Sequence, residues 1–343
     1  MHAAQVYLPK NLDQARTVMR EHGGERGDVA LPVYKAGGLD LVDLMKEGIA
    51  EPETIINLRG LDAKELHAID HESIGALCTL SEIASSEKMR KFAPVVAQAA
   101  ADAATPQVRN VATAAGNLLQ RPRCWYFRSE QFDCLKKSGH MCYAVEGESR
   151  YHAIFGDGPC HIVHPSNLAN ALSVCDAVVE TSRADGSTRE VAMRDLYKMP
   201  SEQVRKEHTL EPDEIITRIY YMAKPFSAHY EVREKQSFDW PLVMASVSFS
   251  DFDGERVTGP QVCVGGVAPV PWRLRTVEKA LSEMSSIDDE QWLRHACGLS
   301  KAGATPLRDN AYKLDLMPVA IYRAVKKACG KPVDHLFADR GAH

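Results

Sequence analysis

The stretch VALPVYKAGGLDLVDLMKEG, residues 29–48, changes its period midway. Val29 to Lys35 reads as a buried strand, Gly37 and Gly38 form a turn, and Leu39 to Glu47 resumes a helical pattern. In a strand–glycine–helix passage the missing side chains let backbone N–H groups approach a diphosphate, and the helix N-terminus favours its charge. Pyrophosphate is therefore a candidate ligand, beside the plainer reading of a tight turn that binds nothing. The spacing does not fit G-x-G-x-x-G, so the fingerprint of the doubly wound dinucleotide fold is absent.

Working outward, Asn11 to Gly23 predicts a helix with Leu12, Ala15, Val18 and Met19 on one face, an Asn suited to its N-cap and Gly23–Gly24 as a stop. Thr54 to Leu58 predicts a strand, and Leu66 to Cys78 a hairpin turning near His71–Ser73. Thr79 and Glu82 form a capping box ahead of an alanine-rich helix that extends to about Ala104. A second glycine turn follows in VATAAGN (Val111 to Asn117), where Thr113 and Asn117 offer a hydroxyl and an amide to phosphate or sugar oxygens.

Beyond the loop discussed below, the pattern predicts a short helix from Asn167 to Leu172, a strand from Ala177 to Thr181, a turn at Asp185–Gly186 and a strand from Ile215 to Tyr221. A boundary falls near Lys224–Pro225. A hairpin, Leu242 to Asp251 and Arg256 to Val267, turns on Asp253–Gly254, and helices cover Leu274 to Met284, Asp288 to Cys297 and Asp309 to Cys329. This remainder reads as a small α+β domain.

Residues 121–160 fit no periodic template and exceed the ~12–15 residues usual for an unstructured connection. Seven aromatic residues, among them Trp125, Tyr126 and Phe127, argue against disorder. Cys124, Cys134, Cys142 and Cys160 also lie here, four of the chain's nine cysteines. Four thiolates suit a [4Fe–4S] cluster, whose ligands can arrive from separated points of a loop. Zinc competes, because His140, His152 and His161 are interleaved, although the gaps of nine, seven and seventeen residues contain no close pair of the kind structural zinc sites use. Disulfides are a third reading. Cys78, Cys175, Cys263, Cys297 and Cys329 sit in patterned segments and read as small buried apolar residues. His164 reads as a turn histidine, and Trp240 and Trp272 as packing residues.

With 343 residues, 45% of them hydrophobic, the chain can bury more than one core. A net charge of −5 leaves no positive excess to neutralise a phosphate backbone, so nucleic acid is not expected as a partner. No run approaches the ~18 apolar residues of a membrane span, and no signal peptide is read, so the cytoplasm is the expected compartment. The periplasm follows only if a partner subunit carries an export signal.

Six segments in order, AGGLDLVDLMKEG (36–48), IINLRGL (55–61), IGALCTLSEIA (74–84), QVRNVATAAGNLL (107–119), HPSNLANAL (164–172) and GGVAPVPWR (265–273), resemble the FAD-binding subunits of the molybdenum hydroxylases, relatives of xanthine dehydrogenase. The resemblance implies an α+β chain. Its two-lobed FAD-binding domain, of the PCMH/vanillyl-alcohol-oxidase type, would cover residues 1–224, with lobes of about 1–60 and 61–224 and the cysteine-rich loop 121–160. A small α+β domain, an antiparallel sheet with helices, would follow over 225–343. FAD contacts carry over to Lys35, Ala36, Gly37, Gly38, Leu39, Asp40 and Leu41, to Thr113, Ala115, Gly116 and Asn117, and to Asn167 near the flavin or its ribityl chain. The sequence departs from the family at Leu39 (usually Thr or His), Ala115 (usually Gly), Asn167 (usually acidic) and Glu231 (often basic), which leaves Glu231 and Lys235 as competing flavin neighbours.

A subset of the family, resembling the FAD subunits of bacterial aldehyde oxidoreductases and of 4-hydroxybenzoyl-CoA reductase, carries a [4Fe–4S] insert after the second turn. NLLQRPRCWYFR (117–128) is nearer the aldehyde group, and Cys124, Cys134, Cys142 and Cys160 fall where the insert's ligands would. The implied protein is an oxidoreductase subunit carrying FAD between the [2Fe–2S] clusters of a small partner and an external acceptor. Substrate, aldehyde by preference, would be oxidised on a large molybdenum subunit, within a heterotrimer or a dimer of heterotrimers. No residue is nominated as acid, base or nucleophile. Rival readings are a stand-alone FAD-dependent oxidoreductase and a zinc-stapled interaction protein without flavin.

Overall fold

The computed structural model describes residues 3–22, 32–235 and 238–333. The beginning of the strand expected at Val29 and the glycine stop at Gly23–Gly24 lie outside the described residues.

Among the described residues three sheets of three or four strands follow one another along the chain, and Asp251–Phe252 pairs with Val257–Thr258 in a two-stranded ribbon. In the first, Thr54–Asn57 lies between Gln5–Tyr7 and Val33–Lys35, both parallel to it. Parallel neighbours need a crossover, and the helices Leu12–His22 and Leu39–Lys46 supply it. Asn11 caps the first helix through Oδ1, which accepts from the Gln14 amide at 2.9 Å. Ala15, Met19 and Ile56 close the small core beneath it.

The second sheet is antiparallel, in the order Ser73–Gly75, Ile215–Tyr220, Val178–Ser182, Thr188–Ala192. The hairpin expected over Leu66 to Cys78 turns where its residues predict: Ile69 bridges Ile74, and the Asp70, Gly75 and Leu77 amides donate to the Ser73, Ala68 and Leu66 carbonyls, each at 2.8 Å. Its second arm also pairs with Ile215–Tyr220, and a β-carbon on Gly75 would stand 2.4 Å from the Leu66 carbonyl carbon, so the two arms lie in close contact. The capping box at Thr79 and Glu82 forms as expected. The helix behind it, however, is three helices, Leu80–Ser85, Glu87–Phe92 and Pro94–Asp102. Ser86 ends one and caps the next, and Pro94, with no N–H to donate, opens the third. Their alanine- and valine-rich faces are buried in the largest core.

The third sheet orders Trp272–Arg273, Gln261–Gly265, Pro241–Phe249 and Phe226–Arg233, all antiparallel. Helix Lys313–Ala328 crosses it, setting Met317, Ile321 and Val325 against Val247, Phe249 and Val262. A buried side chain such as Phe249 contributes about 1.5–3 kcal/mol. The pattern did not foretell the strand Phe226–Arg233, because Ser227, His229 and Glu231 put polar groups on a face buried against Pro94–Asp102 and Asn167–Leu172. Nor did it foretell Thr188–Ala192, an edge strand whose first three residues are exposed. Among the described residues no helix is long and apolar enough to cross a membrane.

The capping box joins the second sheet to the second glycine turn, since Thr79 bridges Thr113 and the Leu80 amide donates to the Ala112 carbonyl at 2.9 Å. Thr79→Ala should cost about 1 kcal/mol and lower the thermal unfolding midpoint, as followed by circular dichroism.

Candidate cofactor site

The two glycine turns meet. A β-carbon on Gly37 would lie 2.4 Å from the Val111 carbonyl oxygen, so the first turn rests directly on the backbone of the second. Gly38, at φ +78°, caps helix Leu39–Lys46, and the Lys35 stem fills the place its β-carbon would take. In the second turn the Thr113 hydroxyl accepts from the Gly116 amide at 3.1 Å, while Ala114 and Ala115 amides donate to the Cys78 and Ala76 carbonyls. Asn117 Oδ1 accepts from Ser166 Oγ at 2.6 Å and from the Leu168 amide at 3.3 Å, which leaves its Nδ2 hydrogens for a ligand. The N-terminus of helix Leu39–Lys46 and the Asn117 amide, beside a side-chain-free cradle, fit the diphosphate of a dinucleotide such as FAD.

The remaining expected contacts divide. Lys35 Nζ lies 3.3 Å from the Ala36 carbonyl, and burial and Arg59 together lower its pKa. Leu39 is exposed at the turn. Both Asp40 oxygens are engaged by the cysteine loop: Oδ2 accepts from the Arg121 amide at 2.8 Å, and Oδ1 pairs with Arg128 at 2.7 Å and Arg123 at 3.1 Å. Asn167 donates to Glu231, so the two departures from the family pattern contact each other. Burial pushes the Glu231 carboxyl up, but hydrogen bonds and charge from His229 and Arg233 outweigh it and hold it below the usual range. Lys235 is exposed.

Cys124, Cys134, Cys142 and Cys160 line one small cavity together with Phe127, Lys136 and His152. His152 Nε2 stands 3.2 Å from Cys124 Sγ. A hydrogen bond from Cys160 draws Cys142 down to about 5, and the same bond raises Cys160, so one sulfur of the pair ionises far before the other. Among the described residues no three His, Cys, Asp or Glu side chains converge as ligands of a single metal ion, and all nine cysteines are free thiols. The five cysteines outside the loop are buried, as their patterned segments predicted.

Three clamps hold the loop. Asp40 and Asp43 take Arg123 and Arg128 at one end. Glu207 takes Arg121 at 3.0 Å and the buried Lys136 at 2.8 Å; burial raises its carboxyl, but the two cations prevail and lower it. At the far end Asp309 accepts from the Ser149 amide at 3.0 Å, and Asn310 donates to the His152 and Ala153 carbonyls. Between the clamps Tyr126 packs on Phe132, with ring centroids 4.9 Å apart, and on Tyr143 and His152.

A second cavity, of about 200 Å³, opens between this loop and the third sheet. Cys124 and His152 line both cavities, so a single wall divides them. His164 is a turn histidine as expected: its amide donates to Ala268, its Nδ1 accepts from Ser166, and burial holds it neutral with a pKa of about 3. Trp272 packs, stacked on Phe155. Trp240 does not; it is half exposed at the rim of this cavity, with the Arg123 guanidinium 5.1 Å from its ring. Sequence reasoning missed Lys313, which also lines the cavity, because a lysine in NAYKLDL gives no sign of being buried.

The model for the FAD-binding domain in molybdopterin dehydrogenase matches residues 2–221. This chain is an FAD-binding member of the molybdopterin dehydrogenase family. The model for the CO dehydrogenase flavoprotein C-terminal domain matches residues 228–328. The aldehyde oxidoreductase FAD-binding subunit PaoB of Escherichia coli K12 is 35% identical over 82% of this chain and 86% of its own. The carbon monoxide dehydrogenase medium chain of Afipia carboxidovorans is 26% identical over 94% of this chain and 95% of its own. Among solved structures, quinoline 2-oxidoreductase from Pseudomonas putida 86 shares the fold with a TM-score of 0.71 at 19% identity, covering 96% of this chain and 98% of that one. The chain is thus an oxidoreductase subunit with an α+β fold.

Gly37→Ala would drive a methyl group into the Val111 carbonyl and part the two turns. FAD affinity should fall at least about tenfold, about 1.4 kcal/mol, with an unchanged circular dichroism spectrum; flavin-to-protein ratio after gel filtration checks it.

Proposed function

We propose that this chain carries FAD between the [2Fe–2S] clusters of a small partner subunit and an external acceptor, while a large molybdenum subunit oxidises the substrate. When bound, FAD supplies the two-electron capacity, and the protein supplies placement and electrostatics. Gly37, Gly38, Thr113, Gly116 and Asn117 hold the diphosphate, with Lys35, Ala36, Leu39, Leu41 and Ala115 around it. Asp40 acts at one remove, by fixing the cysteine loop, and Asn167 by fixing the helix whose cap binds Asn117. The flavin ring occupies the 200 Å³ cavity, which begins at His164 and Pro165, next to the Ser166–Asn117 bond. Residues 1–224 form the two-lobed FAD-binding unit and 225–343 the unit that covers the ring.

Cys124, Cys134, Cys142 and Cys160 hold a [4Fe–4S] cluster. The carrying observation is that these four sulfurs, spread over the loop, line one cavity that shares a wall with the proposed flavin cavity. A cluster there supplies one-electron capacity, and the protein surrounds it with Lys136 and His152. Likeness to the aldehyde oxidoreductase subunit favours an aldehyde as the substrate of the whole assembly.

Anaerobic purification followed by assays of flavin, iron, sulfide and zinc tests both assignments. About one FAD with four irons and four sulfides per chain is expected; zinc in place of iron overturns the cluster. Cys134→Ser should remove iron and leave FAD in place. Co-purification with a molybdenum-containing subunit is expected, and a solitary flavin-loaded chain that oxidises substrate unaided would sink the partnered reading.

A further inference from the structure

Four lysines are buried among the described residues, and three of them reach a carboxylate: Lys136 reaches Glu207 at 2.8 Å, Lys326 reaches Glu290 at 2.7 Å and Lys224 reaches Asp176 at 3.5 Å. Lys313, only 1% exposed, is the exception. Its Nζ donates to two backbone carbonyls, Gly266 at 2.6 Å and His152 at 2.9 Å, and among the described residues no acidic side chain shifts its charge. It also opens helix Lys313–Ala328, whose positive dipole end opposes a cation. A buried ammonium without a counter-charge is unfavourable by several kcal/mol unless something else supplies the negative charge.

The cavity indicates what supplies it. Lys313 lines the 200 Å³ space, and an ammonium has three N–H donors, of which the two carbonyls take two. Arg123, the other cation on its wall, is already paired with Asp40 and Asp43; of the two acids there, Glu234 is paired with Arg150 and Asp239 accepts from the Trp240 amide, and neither shifts the charge of Lys313. Trp125 and Trp240 are among the lining residues, and their indoles offer aromatic surface to a planar ligand.

We propose that Lys313 is the positioning cation of the flavin site: it presents the remaining N–H to the ring and stabilises the negative charge the ring acquires on reduction. Two electrons and one proton leave the reduced ring with one net negative charge, and the electrons come from the partner clusters of the family's electron transfer. The carbonyls of His152 and Gly266 aim the ammonium, and burial at low effective dielectric strengthens its field. Burial draws Lys313 down to about 7, and the negative charge of the reduced ring favours its protonated form. The inference rests on the flavin ring occupying this cavity.

The test replaces FAD with 8-mercapto-FAD in the full chain purified with its co-purifying subunits. A cation at the pyrimidine end of the ring draws the probe's negative charge from sulfur to the N1–C2=O locus and gives the blue benzoquinoid spectrum, whereas its absence leaves the red thiolate spectrum. The benzoquinoid form is expected in the wild type, and the thiolate spectrum there overturns the proposal without needing any variant. Lys313→Met should restore the thiolate spectrum and weaken sulfite binding to the native flavin at least about tenfold, about 1.4 kcal/mol; Lys313→Arg should keep both. A benzoquinoid spectrum retained in Lys313→Met also overturns it. Failure of the chain to bind any flavin would overturn the flavin site itself, a different outcome from a bound flavin that does not sense Lys313.

Discussion

Gly37 has no room for a β-carbon because the Val111 carbonyl occupies that space, and the rest of the site is built around this contact. It sets a turn of the first, parallel sheet on a turn that the second sheet positions through Ala76 and Cys78. Two lobes with separate cores thereby meet at one small volume, the first with the backbone at its helix N-terminus and the second with the Asn117 side-chain amide. The absence of one methyl group makes the two turns a single surface.

Much of this was legible in the sequence because it depends on local chemistry. Glycine between strand and helix, Thr79 with Glu82, and the helix from Asn167 to Leu172 depend on neighbours within a few positions, and each took the form its residues predicted. Where the reading stopped short, a distant partner decided the outcome. Ser73–Gly75 enters its sheet through Ile215–Tyr220, far along the chain, and Phe226–Arg233 hides its polar face against Pro94–Asp102 and Asn167–Leu172. Lys313 and Trp240 belong to the same class, since what surrounds them comes from segments far away in sequence. The cysteines were conspicuous by their crowding, yet only the fold brings their sulfurs around one cavity.

The substitutions at Asn167 and Glu231 illustrate how a buried polar network absorbs change. Read singly, one loses a negative charge and the other a positive one. In space they are one interaction, with Glu231 also taking His229 and Arg233, and His229 taking Ser246 at 2.8 Å. A network whose members are satisfied by one another can exchange which residue carries the charge, whereas a single replacement would leave a buried group unpartnered.

The clamps on the cysteine loop bear on how the protein is made. Asp40 and Asp43 are synthesised before the loop, but Glu207 and the residues from Asp309 to Lys313 follow it. A nascent chain therefore cannot engage the third clamp on its four thiols until residues 309–313 have been made. A chain interrupted before them would carry both glycine turns with the loop held at one end only.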